Sequence, residues 1–228
     1  ILQILIENER EEPIPYHDSI LTGQMRYDEL MNSNNPHRFL DECRMSKYVF
    51  ILFVEFIKDK GNLTDSKHIC AGQKLMIYLT LLKVFSNREI HIMWQHSGST
   101  ISAILSEVML CFESVKSFIF IPPPHETPET ILSDPKYSPF FDNCDGCLDG
   151  SHCDAFTSDP LFRNRKKTMS QNVLAVVNFD LTFSYVLAGW EGSAHDGQVL
   201  QDALSKGFIR REGKFYLGDA GLFCMNIY

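Results

Sequence analysis

Between Cys144 and Asp219 the chain sets carboxylates at the ends of short apolar runs, and this spacing constrains its fold more than any other feature. The runs Val173–Val177 and Phe183–Ala188 are rich in β-branched and aromatic residues and are bounded by Asn, Asp and Gly. That is how buried and half-buried strands read. Phe215–Leu217 is a third, shorter run. Asp149 sits in Leu-Asp-Gly-Ser-His just after a candidate strand edge, and Asp219 follows Phe-Tyr-Leu-Gly. A carboxylate at a strand end has its backbone fixed by the sheet while its oxygens face a crevice, where open α/β sheets bind ligands. Two of them from neighbouring strands can hold hard divalent cations through oxygen. Metals so held can activate water and stabilise the leaving oxygen of a phosphodiester.

Five stretches then carry a resemblance. They are Asp-Gly-Ser-His at 149–152, Arg-Asn-Arg-Lys-Lys at 163–167, Ser-Gln-Asn-Val-Leu-Ala at 170–175, Tyr-Val-Leu-Ala-Gly-Trp-Glu-Gly-Ser-Ala-His-Asp at 185–196 and Tyr-Leu-Gly-Asp-Ala-Gly at 216–221. In this order and spacing they resemble the DDE domain of PIF/Harbinger-type transposases and the nucleases derived from them. The resemblance spans residues 20–221 and is strongest over 149–221. It implies an RNase H-like fold, a divalent metal cofactor (Mg²⁺ or Mn²⁺), cleavage of DNA strands and a nuclear location. A separate DNA-binding partner protein is a further implied partner. Matched motif by motif, Asp149 is the first catalytic and metal-holding acid and Asp219 the second. The third acid is a Glu on a later helix, and the sequence ends at Tyr228 before one occurs. The expectation is a C-terminally truncated chain, inactive by itself. The alternative is a non-catalytic DNA- or protein-binding remnant of a transposase.

The 228 residues suffice for one large or two small domains. A net charge of −8 has the wrong sign for DNA binding over the whole surface, because phosphate affinity comes from Lys and Arg. Contact with nucleic acid must be local. The one dense basic cluster is Arg163, Arg165, Lys166 and Lys167, between Asp149 and the run at 173–177. On a hairpin beside the site it would neutralise phosphates; as a solvated turn it would protect a sheet edge. Seven scattered cysteines favour an intracellular chain with reduced thiols over a secreted disulfide scaffold.

Four regions follow. Residues 1–35 mix Glu7, Glu9, Glu11 and Glu12 with turn formers and read as an acidic tail. Residues 36–120 read as a helical, helix-turn-helix-like domain. Within it Tyr48–Ile57 reads as a buried helix, too short for a bilayer, which needs about 20 apolar residues. Leu75, Tyr78, Leu79, Leu82 and Phe85 mark one apolar stripe. Ser86-Asn87 breaks and re-caps the chain, and Ser97-Gly98-Ser99 leads into a second stripe at Ile101, Ile104, Leu105, Val108 and Phe112. The exposed positions of 99–114 carry no Arg or Lys, so a structural three-helix unit competes with a DNA-reading one. Residues 121–142, with Pro122, Pro123, Pro124, Pro128, Pro135 and Pro139, read as a linker whose end leads into the first strand. Residues 143–228 form the partial nuclease domain. The fold class is α+β, a helical region followed by an incomplete RNase H-like core.

Several side chains near Asp149 stay open between roles. Asp145 and Asp154 compete as metal ligands, with alternation placing Asp145, Cys147 and Asp149 on one face. His152 either lines the metal site or bonds the backbone. Cys144, Cys147 and His152 have the opening spacing of a zinc knuckle, but Thr157 stands where the fourth ligand would fall. Asp196 either caps the helix Val199–Leu204 or adds a metal-site acid, and Glu191 is a weaker candidate.

Overall fold

The computed structural model describes residues 16–83 and 86–219. Glu7–Glu12, Phe85 and the segment 220–228 lie outside the described residues. The chain divides into two compact units, residues 1–116 and 117–228.

The first unit is helical. Its elements are α1 (Gly23–Asn32), α2 (Pro36–Cys43), α3 (Lys47–Gly61), α4 (Ala71–Leu81), α5 (Asn87–Trp94) and α6 (Gly98–Ile119). Helix starts are set by short polar side chains that accept the first free amides. Asn35 accepts from His37 N with Pro36 behind it, Ser46 accepts from Val49 N, and Ser86 with Glu89 closes a reciprocal capping box. The expected break and re-capping at Ser86-Asn87 is where α5 begins. The expected tail to residue 35 ends sooner, because Thr22 caps α1 inside it.

Helix α4 runs through the middle of this unit and is buried almost all round, including Gln73 and Lys74. A stripe read from apolar residues alone was therefore too narrow. Leu82, expected on that stripe, is 62% exposed because the helix stops at Leu81. Helix α3 was expected to be buried, yet only Phe50, Ile57 and Gly61 are, and Tyr48 is 71% exposed. Helix α6 is long and apolar enough to cross a membrane by length and composition. Its buried stripe at Ile101, Ile104, Leu105, Val108, Cys111 and Val115 belongs to the core of the first unit.

The second unit is built on a four-stranded sheet in the order β3-β2-β1-β4. Strand β1 (Cys144–Asp154) pairs antiparallel with β2 (Ser170–Val177), which pairs antiparallel with β3 (Phe183–Glu191). The short β4 (Phe215–Leu217) lies parallel to β1. A parallel neighbour needs a crossover, and the crossover carries α8 (Asp196–Ser205). Val199, Leu200 and Ala203 of α8 pack with Leu148, Leu174 and Val176 of the sheet and with Phe208. The chain is thus α+β, with a sheet consistent with an incomplete RNase H-like core.

The prolines of 121–142 do not mark a free linker. Ile121 N donates to Phe183 O at 2.8 Å, and Asn178 Nδ2 donates to Ile121 O at 2.8 Å. Arg211 Nη2 reaches Pro124 O at 2.8 Å, and the one-turn α7 (Glu129–Leu132) buries Ile131. Its prolines lack amides for a sheet ladder, but Ile121 donates to β3, and the carbonyls of Ile121 and Pro124 accept from the second unit. Residues 135–143 form turns that lead into β1, as expected of the end of this segment.

Candidate functional site

Asp149 sits in the middle of β1, not past its edge. Its position reads poorly as strand because Gly and Asp surround it, yet β1 is paired on both sides over its first residues, so its neighbours impose the conformation. Leu148 faces α8, opposite Val176. By alternation Asp149, paired with Ala175, points to the other face and is exposed. Its Oδ1 accepts from Gly150 N at 2.8 Å.

The register between the parallel strands places the second acid. Cys147 pairs with Leu217, and Asp149 and Asp219 each lie two residues further on. The ladder ends at Cys147 and Leu217, so both acids lie just past its last pair, at the same end of the parallel pairing. Both are exposed. Two carboxylates offer hard oxygen donors that suit Mg²⁺ or Mn²⁺. Among the described residues no three His, Cys, Asp or Glu side chains converge on one point.

The structure separates the other candidates from this pair. Asp145 is 4% exposed, and Arg211 Nε donates to its Oδ2 at 2.7 Å, with Nη2 bonding Oδ1. The expected alternation from Asp145 to Asp149 fails because of a bulge between Cys144 and Gly146. Gly146 has φ +148°, and a Cβ there would stand 2.3 Å from Val177 O. Asp196 lies on the α8 face. Its Oδ1 accepts from Asn172 Nδ2 at 2.8 Å and occupies the space a Cβ on Gly150 would need. The sheet thus stands between Asp196 and Asp149. Asp196 does not cap α8 either, since the cap residue is His195 and Asp196 is the first helical one. Glu191 pairs with Gln171, which pairs with Cys153, four residues along β1 from Asp149 and so about 13 Å away. Alternation puts Cys147 and His152 on opposite faces, against a shared zinc. Burial also pushes the thiols of Cys144 and Cys147 up, away from the thiolate a metal needs.

A second feature lies on the α8 face. A cleft of about 440 Å³ opens between the end of β1, the β1–β2 connection and the start of α8. Of the four basic residues singled out from sequence, Arg165 and Lys166 line it, together with His152, Asn164, Ser193 and His195. Arg163 and Lys167 do not line it; Arg163 makes an isolated bridge to Met169, and Lys167 takes φ +65° in the turn. Asn164 builds that turn. Its Oδ1 accepts from Lys166 N at 2.9 Å and Thr168 N at 3.1 Å, and its Nδ2 donates to Thr168 Oγ1 and Ser170 Oγ. Buried Ser170 is also 3.1 Å from His152 Nδ1. Asn164, Ser170, Asn172 and Arg211 have no site role in a reading of sequence alone. Asn164 between Arg163 and Arg165, ahead of a strand, was the available signal for the turn, and nothing local marks Arg211.

Comparison with known proteins agrees with the second unit's topology. Residues 149–226 match the family model described as DDE superfamily endonuclease. Residues 18–114 match one described as a domain of unknown function. No curated protein and no solved structure gives a significant match. The first of these matches supports a transposase-derived DDE-type endonuclease family for this part of the chain.

Proposed function

We propose that the second unit is a divalent-metal-dependent DNA endonuclease fold of the PIF/Harbinger type, with Asp149 and Asp219 as its metal-holding acids. The observation that supports this reading is the β1–β4 pairing, which ends two residues before each acid and so leaves both at the same end of that pairing, on two neighbouring strands. A cation bound there supplies Lewis acidity to the phosphodiester and a more acidic water. The chain's own part would be to hold one carboxylate on an inner strand and the other just past the end of its parallel neighbour. Arg165 and Lys166 supply local positive charge on a chain whose total is −8.

The test has two readouts. Mn²⁺ binding, followed by electron paramagnetic resonance, is expected in the wild-type chain and lost in Asp149→Asn and Asp219→Asn. Nicking of supercoiled DNA with Mg²⁺ is expected to follow the same pattern. Unaltered Mn²⁺ binding in Asp149→Asn would remove that residue from the site.

The second reading is a non-catalytic binder of DNA or protein. It is favoured by the lack of a third converging donor among the described residues. DNA binding without metal-dependent nicking, in a folded chain, would select it.

A further inference from the structure

We infer that the cleft beside α8 is a phosphate-binding subsite, distinct from the Asp149–Asp219 position. That the phosphate belongs to a DNA backbone rests on the proposed function above; the cleft itself rests on its own lining.

Four observations carry it. First, Arg165 and Lys166 both line the cavity, and neither pairs with a carboxylate among the described residues. Elsewhere in this unit Arg211 and Lys206 are neutralised by Asp145 and Asp202. Unpaired cations in a concave surface focus potential on whatever anion enters. Second, their backbone is preorganised. Asn164 N donates to Thr168 O at 2.9 Å and Lys167 N to Asn164 O at 2.9 Å, so the turn is held from inside before a ligand arrives.

Third, the ten-residue α8 begins at the cleft wall, and its cap residue His195 makes no side-chain bond to the first amides. That end of a helix carries partial positive charge and favours an anion. Arg165 Nη2 lies 3.5 Å from His195 Nδ1, so the guanidinium and the helix start face the same space. Fourth, the hydroxyl groups of Ser193 and Thr168 complete a lining with no Phe, Tyr or Trp side chain. That composition suits a phosphate and not a stacked base.

Two acids also line the cleft. Asp196 has its Oδ1 turned onto Asn172, and Asp154 remains as one acid at the end of β1. His152, which lines the cleft, lies three residues beyond Asp149 on the opposite face, about 10 Å along the strand. The subsite therefore grips a phosphate away from the one being cut.

The test is fluorescence anisotropy of a short labelled DNA duplex titrated with the full chain at several salt concentrations. Arg165→Ala/Lys166→Ala is expected to weaken binding roughly tenfold or more and to lower the salt slope by about 1.8, the amount for two phosphate contacts. Arg163→Ala/Lys167→Ala removes the same charge from the same loop but from outside the cleft, and is expected to cost much less. Ser193→Glu, at an exposed cleft position, is expected to weaken binding like the first pair. Equal losses from the two double variants, or no loss from the first, would overturn the subsite. Inorganic phosphate, followed by phosphorus NMR line broadening, separates the sources. Broadening that depends on Arg165 and Lys166 without duplex binding would keep the subsite and refute DNA as its source. Duplex binding indifferent to Arg165 and Lys166 would refute the subsite and leave the DNA reading standing.

Discussion

Lys74 has only 2% of its side chain exposed, and its ammonium is held by both oxygens of Glu107 and by Thr64 O, each at 2.8 Å. Lys74 left without its partner stays desolvated, whereas Glu107, with 37% of its side chain exposed, keeps water when Lys74 is removed. Glu107→Ala is therefore expected to cost about 3 kcal/mol, and Lys74→Met about 1 kcal/mol or less. Urea denaturation followed by tryptophan fluorescence checks the order, and the reverse order would refute this account of the pair. Glu42 makes a pH prediction at the same scale. Partial burial works to raise its pKa, but hydrogen bonds from Lys83 and Arg26 outweigh burial and hold it below the ordinary 4.5. A carboxylate depressed in the folded state stabilises fully above its unfolded pKa, and that contribution is lost as pH falls through the folded value. The stability gap between wild type and Glu42→Gln is expected to be widest at neutral pH and to close as pH falls below 4.5, read from urea midpoints.

At the scale of elements, β1 departs furthest from its sequence. Cys-Asp-Gly-Cys-Leu-Asp-Gly-Ser-His has little intrinsic preference for a strand, yet it occupies the inner position of the sheet between β2 and β4. Asp149 could be singled out from its motif, while its place in mid-strand could not. Gly146 makes the bulge that turns Asp145 toward Arg211. Gly146→Ala is expected to destabilise the second unit by at least about 3 kcal/mol, since a Cβ would clash with Val177 O at a left-handed φ. Thermal unfolding followed by Trp190 fluorescence in a Trp94→Phe background reads this. A change under about 1 kcal/mol would mean that the bulge is dispensable. The helices of the first unit were more legible, because their caps are local: Ser86 and Glu89 are three residues apart and satisfy each other. The proline segment misled because proline density reports what a backbone cannot donate and is silent on what its carbonyls accept.

Across the whole molecule the two units have cores of different size. The first gathers 19 fully buried apolar residues among the described ones and the second seven, so burial favours the first by a wide margin. Amides of α3, α4 and α6 are expected to exchange with solvent more slowly than those of β1–β4 in hydrogen-exchange mass spectrometry. Equal or slower exchange in the sheet would show that its hydrogen bonds compensate for the small core. The sequence by itself determined the α+β class, the helical first half, the strand runs at β2, β3 and β4, and the singling out of Asp149 and Asp219. Those properties follow from local period, capping and motif, each readable within a few residues. Tertiary structure alone decided that Asp196 sits on the other face from Asp149, that Arg211 claims Asp145, and that two of four clustered cations line a cleft. Each of these depends on sheet register and on a partner far along the chain, and a shift of one residue in register would reverse every face.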